Sequence, residues 1–307
     1  MRIAVVGAGI SGLAAARTLA ERGHEPVILE KSRGPGGRCA TRRIDGFVWD
    51  TGATALTPRG KRLARSLADA PPPGLVAVTK GVHLTDGRRS RPGDPRRGGE
   101  RYALEGGMTV FARHLARDLD LRTETTVERI ERDGAGYRVL GERYDAVVLT
   151  PPAPQTSALL YRLGEDRPLA NCRYRPCLSV GLGFAVPLPE TPYSALLDDE
   201  PTRPLTWISL ESVKAPGRAP DGGSAIVVQL SPGATRDRWR DEDDAIAAWI
   251  AGRLATLYGD AFRTPAVSTV MRWKYSQPEG YADLDAVNPP GSTLWLAGDS
   301  LLGGHVE

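Results

Sequence analysis

The residues best suited to chemistry stand near the start of the chain. Gly7, Gly9 and Gly12, in the run Gly7-Ala8-Gly9-Ile10-Ser11-Gly12, have the G-x-G-x-x-G spacing that brings bare backbone up to a dinucleotide pyrophosphate. In that pattern the first glycine permits a tight turn, the second leaves room for the anion, and the third lets a helix lie close on a strand. Glu30, roughly twenty residues on, supplies a carboxylate for ribose hydroxyls. Beyond it, Lys31 and the loop Gly34-Pro35-Gly36-Gly37-Arg38 bring glycine amides and a guanidinium to where a second phosphate could be gripped. Asp50-Thr51-Gly52-Ala53-Thr54 and Ala297-Gly298-Asp299 are two later glycine joints. The four histidines are scattered, and neither a Ser/His/Asp context nor a metal-ligand spacing occurs. Hydrolase and metalloenzyme readings lose support, and no metal is expected.

The elements that must position these residues alternate as in an α/β protein. Ile3 to Val6 has the β-branched character of a buried parallel strand, and Leu13 to Glu21 has helix composition, stopped by Gly23. Pro26 to Leu29 is a second strand. A glycine-rich loop after it, in place of a helix, points to flavin over a simple nicotinamide dehydrogenase. Arg42 to Trp49 reads as extended chain around the Asp45-Gly46 turn, and Lys61 to Ala70 as a helix ended by Pro71-Pro72-Pro73-Gly74. Residues 86–101 carry Arg88, Arg89, Arg91, Arg96, Arg97 and Arg101 among Gly, Pro, Asp and Ser. This composition reads as a solvated loop, with an electrostatic collar for a phosphate-bearing substrate as the sharper alternative. Thr109 to Asp118 is a helical stretch. Thr125 to Glu131, Tyr137 to Leu140 and Arg143 to Thr150 form a β-meander whose last member is apolar enough to rejoin the parallel sheet beside the first strand. Strands at Leu178 to Val186, Leu205 to Leu210 and Ala225 to Leu230, then a helix at Asp243 to Leu257, fit a mixed sheet carrying the substrate surface. A last strand pair reads from Val270 to Pro278 and from Leu294 to Ala297.

The expected fold is α/β: a Rossmann-like domain of parallel sheet plus β-meander, joined to a mixed-sheet α+β substrate domain. Residues 1–58, 100–155 and 268–307 are expected to form the first, and 59–99 and 156–267 the second. Among 307 residues, 40 basic side chains against 37 acidic ones give a formal charge of +3, too weak a field to imply nucleic acid. Cys39, Cys172 and Cys177 are too few for a disulfide framework, which fits a reducing cytoplasm. The start, uncharged from Ile3 to Ala16, is not read as a signal peptide, because cleavage would remove the glycine motif. No uncharged run approaches the roughly twenty residues of a membrane span, so no membrane partner is expected.

Several motifs together carry a family resemblance. Glu30, Gly36-Gly37-Arg38 and Asp50-Thr51-Gly52-Ala53 resemble the amino-terminal flavin site of the amine-oxidase-type flavoproteins. Leu104-Glu105-Gly106-Gly107-Met108 resembles a middle motif of the group, and Leu294 to Asp299 with Gly304-His305-Val306-Glu307 its carboxy-terminal flavin motif. Trp273 to Pro278, the Trp207 strand and Glu30-Lys31-Ser32-Arg33-Gly34 look most like bacterial renalase-type proteins. The resemblance implies non-covalent FAD held by Gly7, Ala8, Gly9, Ile10, Ser11, Gly12, Glu30, Lys31, Gly36, Gly37, Arg38, Gly52, Ala53, Thr54, Gly298, Asp299, His305 and Val306, with the backbone of Val127 at adenine.

The renalase likeness implies hydride transfer from a dihydronicotinamide dinucleotide, an NAD(P)H isomer, to flavin N5, with O2 as oxidant and H2O2 as product. Such a substrate is already a hydride donor, so no general base is needed and no catalytic residue is assigned. Trp207, Trp273 and Tyr275 are candidates for the substrate face. One alternative is an amine oxidase, disfavoured because Ser179 matches the place of a flavin-bridging lysine and His305 that of a cage tyrosine. Another is a flavin-binding protein without activity, since the family continues beyond the Val-Glu pair into a glycine-started helix.

Overall fold

The computed structural model describes residues 1–94, 99–198, 200 and 202–303. Its contacts divide into two units. The first is built from residues 1–38, 111–175 and 277–303, the second from residues 39–110 and 176–276.

In the first unit the apolar run at the amino terminus becomes β1 (Arg2–Val6), the middle strand of a sheet ordered β19-β13-β1-β2-β9. Its partners are β2 (Glu25–Leu29), β9 (Asp120–Arg122), β13 (Ala146–Leu149) and β19 (Leu294–Leu296), every pair parallel. Alternation along β1 sends Ala4 and Val6 to one core with Val27, Val147 and Leu149, and Ile3 and Val5 to another with Leu13, Ala16 and Ile28. Both faces are covered, as a parallel sheet requires. Leu13 and Ala16 belong to α1 (Ile10–Glu21), which ends before Gly23 at φ +79°.

The meander is β10 (Ile130–Asp133), β11 (Gly136–Val139) and β12 (Glu142–Tyr144), all antiparallel. Two expectations need correction. Residues 125–129 form no strand, and the single run expected over Arg143 to Thr150 is divided between β12 and β13. The division falls at Asp145, whose carboxylate accepts the Arg2 amide at 2.7 Å and so ties the bend to the start of β1. Helices α3 (Thr109–Leu115), α4 (Ala153–Leu163), α8 (Leu284–Val287) and α9 (Asp299–Leu302) complete this part of the chain.

The second unit is organised on a seven-stranded mixed sheet ordered β18-β14-β17-β16-β15-β6-β7. Its strands are β6 (Gly81–Thr85), β7 (Ser90–Pro92), β14 (Tyr174–Phe184), β15 (Tyr193–Leu197), β16 (Leu205–Leu210), β17 (Ser224–Leu230) and β18 (Val267–Pro278). β6 and β15 pair in parallel, whereas β14, β17, β16 and β15 run antiparallel in turn. On one face, Ile246, Ile250 and Leu254 of α7 (Asp243–Tyr258) pack on Val180, Leu182, Ile226 and Val228. Helices α2 (Lys61–Asp69), α5 (Glu211–Lys214) and α6 (Pro232–Arg238) lie elsewhere in the unit.

The other face is covered by a hairpin of β3 (Thr41–Ile44) and β4 (Phe47–Asp50). Phe47 and Trp49 stack at 5.6 Å and pack on Ala225 and Val227. They can do so because β14 presents glycine at both contacts: a Cβ on Gly181 or Gly183 would stand 2.8 Å from the Trp49 or Phe47 ring. This packing places residues 39–58 with the second unit, although sequence grouped them with the cofactor segments. A further pair, β5 (Leu75–Ala77) with β8 (Tyr102–Leu104), does the same for residues 100–104. Part of the arginine-rich run expected as loop is the exposed β7, paired with β6. Among the described residues no helix is long and apolar enough to cross a membrane.

Candidate cofactor and substrate site

In the first unit, the glycine run leaves β1 through Gly7 at φ +100°, a conformation in which a side chain is strained. Thr150 locks the turn, its Oγ1 donating to the carbonyls of Val6 (2.8 Å) and Gly7 (3.2 Å). Gly12 is required by contact: a Cβ there would stand 2.0 Å from the Gly7 oxygen. Gly9 differs, since a Cβ would meet nothing within 4 Å. It is the N-cap of α1, and no side chain caps that helix. The first N–H groups of α1 therefore face an open approach with the helix dipole behind them, which suits an anion. Ala8 is buried, with Ile10 and Ser11 half-buried beside it.

Glu30 is 7% exposed, and its carboxylate is held by backbone: Oε2 accepts the Ala8 amide and Oε1 the Ser32 amide, each at 2.7 Å. An ionised carboxylate has about four acceptor positions, so capacity for hydroxyl donors remains. The following loop crosses the glycine turn, with the Gly36 amide donating to the Ala8 carbonyl at 2.8 Å and Gly9 bridged to Gly36. Gly37 has φ +53°, and Lys31 is exposed.

Arg38 is ion-paired with Asp299, whose other oxygen accepts the Tyr174 hydroxyl at 2.7 Å. The guanidinium also lies 5.7 Å from the Tyr174 ring. Burial opposes the charge on Arg38, but Asp299 holds its pKa above the ordinary value; burial and then Asp299 push the Tyr174 phenol up. Gly298, at φ +148°, precedes Asp299 at the start of α9. Val127 packs on the first core, and its amide and carbonyl make no hydrogen bond among the described residues, leaving an edge suited to a base. His305 and Val306 lie outside the described residues, as do Arg96 and Arg97.

The second unit carries four wholly buried charges, of which only Asp50 stands in a motif singled out in the sequence. Asp50 Oδ2 accepts from Lys214 at 3.0 Å and Arg218 at 2.8 Å; Glu211 pairs with Lys214 at 2.7 Å and with Arg218 at 3.3 Å. Two acids and two bases make the cluster neutral, which lets it exist without solvent. Most of its remaining valences are filled, though Arg218 Nε has no hydrogen-bond partner among the described residues. Asp50 Oδ1 accepts from the Met108 amide and Thr41 Oγ1 at 2.8 Å, and Glu211 Oε1 from Ser209 Oγ at 2.7 Å. Burial alone would raise the Asp50 pKa, but Lys214 and Arg218 hold it below the usual carboxylate range. The Gly106-Gly107-Met108 motif is explained here, for a Cβ on Gly107 would stand 2.3 Å from Thr41 and 2.9 Å from Asp50 Oδ1. Sequence patterning assigns Glu211, Lys214 and Arg218 no role.

The loop after Asp50 is bound to the sheet through its carbonyls. Thr51 accepts from Trp273 Nε1 at 2.8 Å, Gly52 from Gln229 Nε2 at 2.7 Å, and Thr54 from Lys214 Nζ at 2.7 Å. Gln229 is flanked across its strands by Ser179 on β14 and Trp207 on β16. Ser179 Oγ and Trp207 Nε1 are buried without a hydrogen-bond partner. Arg101 lies 5.6 Å from the Trp207 ring; its Nη1 donates to Ser194 Oγ at 3.1 Å, while its buried Nη2 has no partner. Tyr275 is half-buried two residues beyond Trp273. No acid or base stands in the Ser179, Gln229, Trp207 row.

The uncapped helix start, the fixed Glu30 carboxylate and the free Val127 edge form a donor and acceptor set that fits the adenosine diphosphate half of FAD. Comparison with known proteins agrees. Residues 5–70 match the profile of the NAD(P)-binding Rossmann-like domain, and residues 93–307 that of the flavin containing amine oxidoreductases. Zeta-carotene-forming phytoene desaturase of Myxococcus xanthus is 57% identical over 55 residues, which is 18% of this chain and 11% of that protein. A 4,4'-diapophytoene desaturase of Staphylococcus aureus strain Newman is 52% identical over 56 residues, with the same shares. The match to these curated relatives thus spans about a tenth of their length.

Among solved structures, a candidate protoporphyrinogen oxidase of Exiguobacterium sp. 255-15 superposes with TM-score 0.78 at 19% identity, over 99% of this chain and 95% of that one. Cyclohexylamine oxidase of Brevibacterium oxydans IH-35A superposes with TM-score 0.75 at 14% identity and the same coverage. At such identities the likeness speaks for the fold. The family profile, which runs from residue 93 to residue 307, settles the assignment: this chain belongs to the flavin-containing amine oxidoreductases, a family of FAD-dependent oxidoreductases.

Proposed function

We propose that the chain is a renalase-like oxidase of a dihydronicotinamide dinucleotide-type substrate, with the pyrophosphate of FAD at the Gly7–Gly12 turn, its ribose on Glu30 and its adenine at Val127. Held there, FAD would supply the two-electron chemistry of hydride acceptance, with O2 as the final two-electron, two-proton acceptor and H2O2 as the product. The task of the protein is to bind and orient. Ser179, Gln229 and Trp207 offer no general base, and a dihydropyridine needs none.

The observation that carries this reading is Arg101. It is a half-buried cation that makes no ion pair among the described residues, stacked over Trp207 with Nη2 unpartnered. Burial lowers its pKa, with Glu211 acting against that, so the site gains from an added anion. A phosphate-bearing substrate supplies one. An ammonium brought within about 5 Å of the guanidinium would be opposed by about 3 kcal/mol at an effective dielectric constant of about 20, which disfavours an amine substrate.

Anaerobic mixing of the FAD-loaded protein with misreduced NADH isomers, and separately with putrescine or cyclohexylamine, tests the assignment. Loss of oxidised flavin absorbance with the dinucleotides, and H2O2 after air is admitted, is the expected result. Reduction by the amines alone would replace this reading with amine oxidation, and bound flavin reduced by neither would mark a binding protein.

A further inference from the structure

Within the second unit, on the face of the mixed sheet that α7 covers, α6, α7 and the segment before β16 enclose a cleft of about 370 Å³. That is the size of a small-molecule site. Its walls include Pro204, Ser231, Asp237, Arg238, Trp249 and Arg253. Ser179, Gln229 and Trp207 project from the opposite face, because Val180, Val228 and Ile208 beside them pack in the core under α7. The cleft is therefore separate from that row.

Two arginines stand over one indole ring in this cleft. Arg238 Cζ lies 3.9 Å and Arg253 Cζ 3.6 Å from the centroid of Trp249. They differ in what balances their charge. Arg238 pairs with Asp241 at 2.9 Å. Arg253 is half-buried and makes no ion pair among the described residues; its Nη1 donates to the Trp249 carbonyl at 3.1 Å, which leaves most of a guanidinium's donors unused. Burial, and then the charge of Arg238, hold the Arg253 pKa below its ordinary value, so the cleft gains from an added anion. Asp237 is the one acid among the described lining residues, and it is exposed, where water and salt screen it. Ser231 adds a hydroxyl. It is 2% exposed, its Oγ accepts the Ala234 amide at 3.4 Å, and its proton goes to no acceptor among the described residues. A buried donor in that condition is available to a ligand.

We propose that this cleft binds a small phosphate-bearing molecule, with its phosphate on Arg253 and Ser231 and with Arg238 adding charge. Phosphate brings three terminal oxygens and roughly two charges to two guanidiniums and a hydroxyl, whereas a carboxylate brings fewer oxygens and a single charge. The cleft is larger than a lone phosphate, which leaves room for the rest of the molecule. A ligand there bears on the ends of three strands: the Ser231 amide donates to the Pro204 carbonyl at 2.8 Å, just before β16, and Thr235 Oγ1 accepts the Leu178 amide of β14 at 3.1 Å, while Ser231 itself follows β17. The proposal is independent of the cofactor and of the substrate assigned above.

Calorimetric titration of the full chain with potassium phosphate at constant ionic strength tests it, with potassium acetate as the second probe and Arg253→Gln and Arg88→Gln as variants. The parent should bind phosphate with a Kd of about 1 mM or tighter and acetate at least about tenfold more weakly, and its melting temperature should rise with phosphate. Arg253→Gln should lose about 10–150-fold in phosphate affinity, the worth of one charge-assisted hydrogen bond. Arg88→Gln, which removes an exposed cation outside the cleft, should change it by less than about twofold. In the parent, phosphate should also slow modification of Arg253 by phenylglyoxal, followed by peptide mass spectrometry, and leave Arg88 reactive; this readout needs no variant to fold. Phosphate affinity unchanged in a folded Arg253→Gln protein, or Arg253 modified equally fast with and without phosphate, would overturn the proposal. Acetate bound as tightly as phosphate would overturn the assignment to a phosphate.

Discussion

Gly9 and Gly12 offer a sharp test of the cofactor assignment, because the two glycines are needed for different reasons. At Gly9 the backbone is extended, with φ −69° and ψ 172°, and an added Cβ meets nothing within 4 Å. Replacing it by alanine removes freedom from the unfolded chain, which stabilises by about 0.4–1 kcal/mol. Replacing glycine at an N-cap by a residue that cannot cap costs about the same. The apoprotein of Gly9→Ala or Gly9→Leu should therefore melt close to the parent. Flavin binding should not survive Gly9→Leu, whose side chain occupies the approach to the α1 amides. Two charge-assisted hydrogen bonds to a pyrophosphate contribute about 3–6 kcal/mol, so affinity should fall about 10²–10⁴-fold.

Gly12→Ala should behave in the opposite order. Its Cβ would lie 2.0 Å from the Gly7 oxygen and 2.9 Å from Thr150 Oγ1, so the helix must move off the strand. Such overpacking costs typically about 1–3 kcal/mol. Titration of apoprotein with FAD, alongside calorimetric melting, separates the two. A folded Gly9→Leu protein that binds FAD within about threefold of the parent would place the pyrophosphate elsewhere.

Three further outcomes follow from single groups. Glu30→Ala removes the acceptor of the buried Ala8 amide and a ribose partner, so FAD affinity should fall about 10–150-fold, and stability should fall by roughly 1–3 kcal/mol; unchanged affinity would detach Glu30 from the cofactor. Asp50 is held below its ordinary pKa of about 3.9, so its contribution to stability is complete above about pH 4 and is lost as pH falls through the lower folded value. Urea midpoints of the parent should drop on that acid limb more steeply than those of Asp50→Asn, and parallel limbs would show that the cluster does not govern acid unfolding. Arg101→Gln should raise KM for a phosphate-bearing dihydronicotinamide dinucleotide while leaving KM for a neutral N-alkyl dihydronicotinamide unchanged, and an equal rise for both would remove the anion from its role.

Features set by short-range chemistry were legible in the sequence. β-branched runs marked β1, β16 and β17, while Gly7 to Gly12 predicted a strand, a turn and a helix in that order, because each glycine answers a local demand of conformation or close approach. The place of Glu30 at the end of the second strand was legible too, but its hold on the Ala8 and Ser32 amides was not. What local pattern could not supply was decided by partners distant in the chain. Asp120-Leu121-Arg122 is a strand only because β2 offers it an edge, and Tyr193–Leu197 only because β6 and β16 flank it. The Phe47-Trp49 hairpin joins the second unit because Gly181 and Gly183 leave bare backbone for its rings. Glu211, Lys214 and Arg218 were not legible, since three charges within eight residues carry no local signal of burial. They are buried because Asp50, more than 160 residues away, completes a neutral cluster, and a charge can leave water only when the fold brings its partner.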